Sequence, residues 1–359
     1  ALEDGHGGLE HRASTALVVP RRNLPALGDA RDAAKGAAKE PGDGYVAVLG
    51  LVAHEYFHAW NVKRMKPRDF ARLDYSRENY TELLWFFEGF TSYYDDLFVL
   101  RSGLVDVPRY LKLLARSLTA VQGTPGREVQ SVAASSFDAW VKYYRGDENT
   151  PNATVSYYVK GSLVALGLDL LLRSEGRGSL DDVMRRLWHT SEGGAIDEAD
   201  IAAALEVVGG RSFAPELAAW IHGTGELPLD ALLARFAVAV ERQPATLAQR
   251  LGVRVAESAL TGVKITHVMR GSAAERAGLS AGDELIAAGG WRLRRLEDAL
   301  RCVDGEGETP WLVGRDQRVV EIAVDAALPG PADAGAVTLK AAAAANAEAR
   351  ALHEAWIAG

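Results

Sequence analysis

The chain has 359 residues, enough for two or three domains, and its 48% hydrophobic and 25% charged residues are ordinary for a globular protein. Its 48 acidic and 40 basic residues give a net charge of −8, which argues against a general nucleic-acid partner. A single cysteine excludes an internal disulfide framework, and no apolar run reaches the roughly 18 residues that span a bilayer.

The amino-terminal 44 residues predict a strand followed by a loop. Ala1 to Asp4 lack the basic and apolar segments of a signal peptide, but a removed signal peptide would leave no trace. The localisation of this expected soluble protein, in a bacterial-type cytoplasm or periplasm, is therefore left open. Residues 13–20 have the apolar character of a strand that ends at Pro20. Residues 21–44 are polar without a firm period and predict a loop with some helix, in which Asp43 would cap the next helix.

A His-Glu-x-x-His motif lies in a predicted helix from Tyr45 to Trp60. His54 and His58 are four residues apart, so a helix projects them from one face, about one turn from each other. This spacing lets two imidazoles bind one Zn²⁺, with Glu55 beside them to accept a proton from the attacking water. The alternative is a helix that merely contains two histidines, since the motif alone is a modest signal.

A second apolar segment, Trp85 to Thr91, carries one acid in its middle. Three aromatic residues flank Glu88, and burying an unpaired carboxylate among them would be costly. The carboxylate therefore needs a partner. We predict that Glu88 is the third protein ligand of one Zn²⁺ per chain.

Most of the chain between Gly44 and Phe236 is predicted to be helical. Ser76 would cap a long helix that runs to about Gly103, and Asp106 would start the next, with a proline in the first turn. Further helices are expected over 154–174, after a capping box at Ser179, and near 197–208, 213–222 and 229–236.

The character of the sequence changes after Pro244, where β-rich stretches alternate with glycine turns and predict a small α+β module. The alanine-rich tail over 336–358 predicts one helix. The predicted organisation is an amino-terminal strand and loop over 1–44, a helical domain over 45–243, the α+β module over 244–328, and a linker with a helix over 329–359.

These motifs together resemble the gluzincin metallopeptidases. Within that group, the segment His58-Ala59-Trp60-Asn61-Val62-Lys63-Arg64, followed by Pro67, is similar to the glycyl aminopeptidase family. The gap from His58 to Glu88 is longer than in aminopeptidase N relatives, which suits this family. The resemblance extends from Gly7 through the C-terminal module. It implies a mainly α catalytic domain of thermolysin-like type with a residual N-terminal strand, followed by a small α+β PDZ-like domain.

The segment Tyr157-Tyr158-Val159-Lys160-Gly161 resembles the Tyr-x-Lys-Gly segment of aminopeptidases. The resemblance implies that the Tyr158 hydroxyl stabilises the oxyanion, where a donor is needed because negative charge develops on the carbonyl oxygen. Tyr157 competes for this role. Simple packing of Tyr158 at the start of a helix is the structural alternative.

The segment Gly7-Gly8-Leu9-Glu10-His11 resembles the Gly-x-Met-Glu-Asn strand that binds a substrate's backbone and its free amine. Leu9 and His11 depart from that pattern. By resemblance, Gly7 and Gly8 allow close approach of the peptide and Glu10 binds the substrate's ammonium group. An ordinary strand-edge carboxylate is the alternative for Glu10.

Charged residues near the motif have simpler interpretations. Asp95 lies two helical turns after Glu88 on the same face and could hold a ligand imidazole through its other nitrogen. Asp96, or a solvated helix surface, is the alternative. Lys63 and Arg64 most simply complement the helix dipole at its carboxyl end.

Two stretches of the C-terminal module resemble PDZ domains. Arg250-Leu251-Gly252-Val253 resembles the carboxylate-binding loop, and Gly278 to Ile286 matches a turn and strand found later in that fold. The resemblance implies that this module binds an extended C-terminal peptide as an added strand.

We therefore predict a zinc aminopeptidase that removes N-terminal residues from peptide substrates, with glycine or alanine preferred by resemblance. An endopeptidase or oligopeptidase with the same zinc site is one alternative. A PDZ peptide-binding protein with an idle peptidase domain is another. Family members usually carry a β-rich region before the Gly-rich strand. Only its last strand is expected here, as in a fragment or a processed form.

Overall fold

The computed structural model describes residues 1–26, 41–301, 307–325, 335–342 and 346–359. Over these residues the chain forms a large helical region and a smaller β-rich module, each with its own hydrophobic core. Most of the predicted loop over 21–44 falls on residues 27–40, which lie outside the described residues, as does Cys302. None of the described helices is long and apolar enough to cross a membrane.

The helices of the large region follow the chain from the His-Glu-x-x-His motif onward. They are α1 Asp43–Phe57, α2 Leu84–Phe87, α3 Gly89–Arg101, α4 Val107–Gln122, α5 Val132–Phe137, α6 Thr150–Ala153, α7 Val159–Ser174, α8 Leu180–Thr190, α9 Glu198–Gly209, α10 Ala214–Leu217 and α11 Leu229–Arg235. The module adds α12 Leu247–Leu251 and α13 Ala273–Ala277, and the tail ends in α14 Ala347–Ala358.

Strands form one main sheet and three small pairings. They are β1 Gly7–Glu10, β2 Thr15–Val18, β3 Lys66–Pro67, β4 Ala195–Ile196, β5 Val238–Arg242, β6 Val253–Ser258, β7 Gly262–Val268, β8 Glu284–Ala288, β9 Trp291–Arg292, β10 Thr309–Arg315, β11 Arg318–Val324 and β12 Val337–Ala341. The order in the main sheet is β11-β10-β8-β7-β6, with β9 paired to β8. The other pairings are β1 with β2, β3 with β4, and β5 with β12.

Close packing of α3 against α7 brings the Glu88 segment and the tyrosine segment together. A Cβ atom on Gly89 would lie 2.6 Å from the Cα of Gly161, so only glycine at both positions permits this approach. Every α7 residue from Lys160 to Leu170 is buried, which makes this helix the centre of the core. The two glycines therefore set the distance between Glu88 and Tyr158.

The amino-terminal segment forms an antiparallel hairpin that covers the motif helix. Gly7 pairs with Val18 and Glu10 with Thr15, so the predicted strand over 13–20 is the second strand of a pair. A Cβ atom on Gly8 would lie only 2.0 Å from Oε1 of Glu55. The absence of a side chain at Gly8 thus lets β1 pass directly over this carboxylate.

The β-rich module contacts the helical region at Asn152. Asn152, in α6, donates to the carbonyl oxygen of Val268 at 2.8 Å and accepts from the amide of Arg270 at 2.8 Å. Strand β6 lies at the end of the sheet, with β7 as its neighbour. The module therefore docks against the turn that leads into the tyrosine segment.

Two predicted amino-terminal caps are confirmed and two are wrong. Asp106 caps α4, and Ser179 forms a capping box with the acid three residues later. Asp43 is instead the first residue of α1, and its carboxylate pairs with Arg109, among other basic side chains of α4. Ser76 caps no helix, because its hydroxyl donates to a nearby aspartate in a turn and the next helix starts at Leu84.

The prediction of a single helix over the tail is also wrong. Residues 337–341 form β12, which pairs with β5 of the helical region, and only the last part of the tail is α14. Trp356 in α14 is fully buried, and its indole donates to the hydroxyl of Tyr93 at 3.0 Å. Alanine-rich composition alone cannot show that the first half of this segment pairs with a strand from a distant part of the chain.

Candidate metal centre

Three side chains from two helical segments converge on one point. His54 Nε2 and His58 Nε2 lie 3.3 and 3.2 Å from the same atom, Oε2 of Glu88. Their side chains are 13%, 2% and 16% exposed, respectively. The ligand atoms of the three residues all lie within 4.8 Å of one another. This convergence is what a small metal ion requires.

The donor set fits a tetrahedral ion. Zinc bonds to nitrogen and oxygen of about 2.0–2.2 Å place neighbouring ligand atoms about 3.3–3.6 Å apart in a tetrahedron. The two distances to Glu88 are close to that range. Three protein ligands leave one position for water or substrate, as in catalytic rather than structural zinc sites.

Each imidazole is held through its other nitrogen. His54 Nδ1 lies 2.9 Å from Oδ2 of Asp95, and His58 Nδ1 lies 2.8 Å from the carbonyl oxygen of Asn61. These contacts orient both Nε2 atoms toward Glu88. Asp96, the alternative to Asp95, lies toward Gly50, where an added Cβ atom would be 3.5 Å from its Oδ1.

The cluster is strongly polarised. Burial lowers the pKa of His54, but the Asp95 and Glu88 carboxylates outweigh burial and raise that pKa to about 10. Burial raises the pKa of Glu88, yet hydrogen bonds from the two imidazoles bring it to about 2. Glu88 is therefore ionised at neutral pH, and a bound cation would take the place of imidazole protons.

Glu55 lies beside the cluster under the amino-terminal hairpin. It is 7% exposed, and Thr15 Oγ1 lies 3.4 Å from its Oε2. Burial raises the pKa of Glu55, opposed by the positive charges of His58 and His54. The negative charge of Glu10 adds to the rise. A raised pKa suits a carboxylate that takes a proton and later returns it.

Tyr158 is the tyrosine that faces the histidines. Its ring stacks on the ring of His54 with centroids 6.3 Å apart, whereas Tyr157 is only 1% exposed and lies in the core. Burial raises the pKa of Tyr158, and the negative charge of Glu88 raises it further. The phenol therefore stays protonated and can donate a hydrogen bond. Tyr144 Oη lies 3.4 Å from Tyr158 Oη.

The structure brings Glu10 close to this centre and gives it a partner. Lys63 Nζ lies 2.9 Å from Oε1 of Glu10. The prediction that Lys63 merely complements the helix dipole is therefore incomplete. Nothing lies within 4 Å of a Cβ atom built on Gly7, so space is open beside the start of β1.

Sequence reasoning missed Asn61, Tyr144 and Thr15. Asn61 is fully buried, and its amide donates to Phe87 O at 3.3 Å and Thr91 Oγ1 at 3.2 Å, so it joins the two ligand-bearing segments. Asn61 lies three residues after His58, just beyond the end of α1. This spacing could have predicted that Asn61 contacts the ligand. Tyr144 contacts Tyr158, and Thr15 contacts Glu55. No local sequence pattern marks either residue.

The predicted carboxylate-binding loop of the PDZ-like module is partly engaged elsewhere. Arg250 and Leu251 end α12, and the Gly252 amide donates to the Gln249 carbonyl oxygen at 3.2 Å as a helix cap. Val253 starts β6. A peptide carboxylate that binds the Gly252 amide would have to compete with this capping bond, and binding of a carboxylate at this loop stays a prediction.

Two histidines and a glutamate thus form a buried cluster that could hold a metal ion, with the Glu55 carboxylate and the Tyr158 phenol beside it. Comparison with known proteins points to a peptidase. Residues 47–164 match the family model described as M61 glycyl aminopeptidase, and residues 240–302 match the PDZ domain. The first match spans the three clustered side chains, Glu55 and Tyr158, and leaves Glu10 outside it.

Solved structures extend this comparison. The crystal structure of an aminopeptidase N family protein from Idiomarina loihiensis is 34% identical with a TM-score of 0.86, and the match covers 99% of this chain and 61% of that chain. A PDZ domain of HtrA3 bound to a phage-derived ligand matches at 15% identity and a TM-score of 0.19, covering 29% of this chain and 90% of that one. No curated protein matches.

The predicted resemblance to glycyl aminopeptidases with a PDZ domain is thus confirmed, and so is the predicted fold class. The chain spans 61% of the length of the structural relative. These findings support a peptidase with a PDZ-like module and a metal site formed by His54, His58 and Glu88.

Proposed function

We propose that the chain is a zinc aminopeptidase that hydrolyses N-terminal residues, preferably glycine or alanine, from peptides. One observation carries the proposal, namely the convergence of His54 Nε2 and His58 Nε2 on Oε2 of Glu88, at 3.3 and 3.2 Å. One Zn²⁺ held by these three residues would polarise the scissile carbonyl and activate water at neutral pH.

Glu55 acts as the general base. It directly follows the ligand His54 in α1, and its raised pKa favours proton uptake. Glu55 accepts a proton from the attacking water and returns it to the leaving amine. The hairpin excludes solvent from its carboxylate, because Gly8 and Thr15 cover it.

Tyr158 donates a hydrogen bond to the oxygen on which negative charge develops. Its position over the His54 ring and its protonated phenol both support this role. Asp95 keeps His54 in the orientation needed to bind the ion.

Glu10 limits cleavage to the first residue by pairing with the substrate's free ammonium. A metal site alone cannot measure the distance to a peptide's end, whereas a carboxylate at a fixed distance can. Strand β1 passes over Glu55 at Gly8, two residues before Glu10. The Glu10 carboxylate would therefore lie near the reacting bond.

A peptidase without amine recognition is the second candidate, and one observation favours it. Glu10 already has a cationic partner in Lys63, so its negative charge is paired without a substrate. The test is to compare alanyl anilide with its N-acetylated counterpart. We expect hydrolysis of the free amine and little of the acetylated compound. Equal rates would establish the second candidate.

Tyr158→Phe is expected to lower kcat by roughly 10²–10³-fold, the effect of removing one oxyanion donor, while bound metal is unchanged. Steady-state turnover of alanyl anilide and metal analysis measure both. Tyr157→Phe is the matched control, since that ring lies in the core. If the control loses activity and Tyr158→Phe does not, the oxyanion donor has been assigned to the wrong tyrosine.

A further inference from the structure

The Glu10–Lys63 ion pair occupies the position that amine recognition requires. Lys63 Nζ is 2.9 Å from Glu10 Oε1, and the two side chains are 31% and 20% exposed. The pair joins β1 to the segment that follows α1, so it spans the edge of the candidate metal centre. Under the proposed function, a substrate's ammonium must therefore arrive at a carboxylate that already binds a cation.

Two ammonium groups cannot share this carboxylate without repelling each other at close range. The repulsion is strong here because both groups lie where solvent is partly excluded. Either Lys63 leaves or the substrate binds weakly. Lys63 has the means to leave, because its ammonium is carried on a flexible four-carbon stem and is partly exposed.

Departure of the Lys63 side chain would leave the metal ligands in place. The Lys63 amide donates to the His58 carbonyl oxygen at 2.9 Å, so its backbone is held independently of the side chain. His58 is oriented by Asn61, and the neighbouring Arg64 donates to the Ala59 carbonyl oxygen. None of these contacts involves Lys63 Nζ.

We propose that Lys63 is an exchangeable counterion that the N-terminal ammonium of a peptide displaces from Glu10. This inference rests on the proposed aminopeptidase function and makes Lys63 a specificity-determining residue of the same site. An N-acylated peptide has no positive charge at its N-terminus, so its N-terminus cannot take the place of Lys63 in the pair. Lys63 thereby discriminates against blocked peptides, and in exchange weakens the binding of free ones.

Lys63→Met tests the exchange. We expect the KM of alanyl anilide and the inhibition constant of alaninamide to fall by about threefold or more, as for loss of a partly exposed ion pair. The kcat should change little, because Lys63 does not touch the reacting atoms. Lys63→Arg should restore the wild-type values. Lys66→Met is the matched control, since it removes one positive charge three residues away.

The pairing can be isolated with a double-mutant cycle. Glu10→Ala should weaken alaninamide binding, and adding Lys63→Met to it should recover part of the loss by removing an unpaired positive charge. Unchanged or weaker alaninamide binding by Lys63→Met, with full metal content, would overturn the exchange and make Lys63 an anchor for Glu10. Equal hydrolysis of free and acetylated substrates by the wild-type protein would instead overturn the proposed function itself.

Discussion

Glu55→Gln is expected to lower kcat for alanyl anilide by roughly 10²–10⁴-fold, the contribution of a positioned general base. The amide has nearly the shape of the carboxylate but cannot accept the proton of the attacking water. His54, His58 and Glu88 remain, so one zinc per chain should stay bound. The near-contact between Gly8 and the Glu55 carboxylate favours glutamine as a replacement of equal size.

The measurement pairs single-turnover kinetics with metal analysis of the same sample. Glu82→Gln is the matched control, because that acid is exposed on the surface just before α2. The control should retain activity. A Glu55→Gln protein with full zinc and undiminished kcat would contradict the assignment of the base. Loss of zinc together with activity would show that Glu55 supports the metal site instead.

Glu10→Ala is expected to lower kcat/KM for a free-amine substrate by a factor that corresponds to roughly 2–5 kcal/mol, the range for removing one partner of a charge pair that the bound substrate buries. Lys63 contributes to the loss, since its ammonium then faces the substrate's ammonium without a carboxylate between them. An N-acetylated substrate has no charge to lose, so its slow hydrolysis should not slow further.

Comparing the two substrates in the wild type and in Glu10→Ala measures this selectivity directly. Glu3→Ala provides the control, because Glu3 is an exposed acid of the same amino-terminal segment. If Glu10→Ala affects both substrates little and equally, Glu10 is an ordinary strand-edge acid. The peptidase without amine recognition would then be the better description.

The metal cluster could be predicted because its chemistry is local. The four-residue spacing of His54 and His58 follows from helix geometry alone, and Glu88 is conspicuous as one acid among aromatic residues. The structure brings these three side chains together. It also places Asp95, in the helix that begins after Glu88, against His54.

Features that depend on distant parts of the chain could not be predicted. The Glu10–Lys63 pair joins residues more than fifty positions apart, and no local pattern marks it. The tail strand β12 pairs with β5, which lies about a hundred residues earlier in the chain. The Asp43 carboxylate pairs with basic side chains of α4 and does not cap α1. The sequence alone does not show that Gly8 must lack a side chain because the Glu55 carboxylate lies directly beneath it.

The central claim, one catalytic zinc per chain, is tested most directly by titrating zinc into the chelator-treated protein while following alanyl anilide hydrolysis. The chelated protein should be inactive, and activity should rise linearly and stop at one equivalent of zinc. Burial of the His54–His58–Glu88 cluster predicts this sharp end point. Hydrolysis that persists without metal, or whose rate does not change when zinc is added, would contradict the claim of one catalytic zinc per chain.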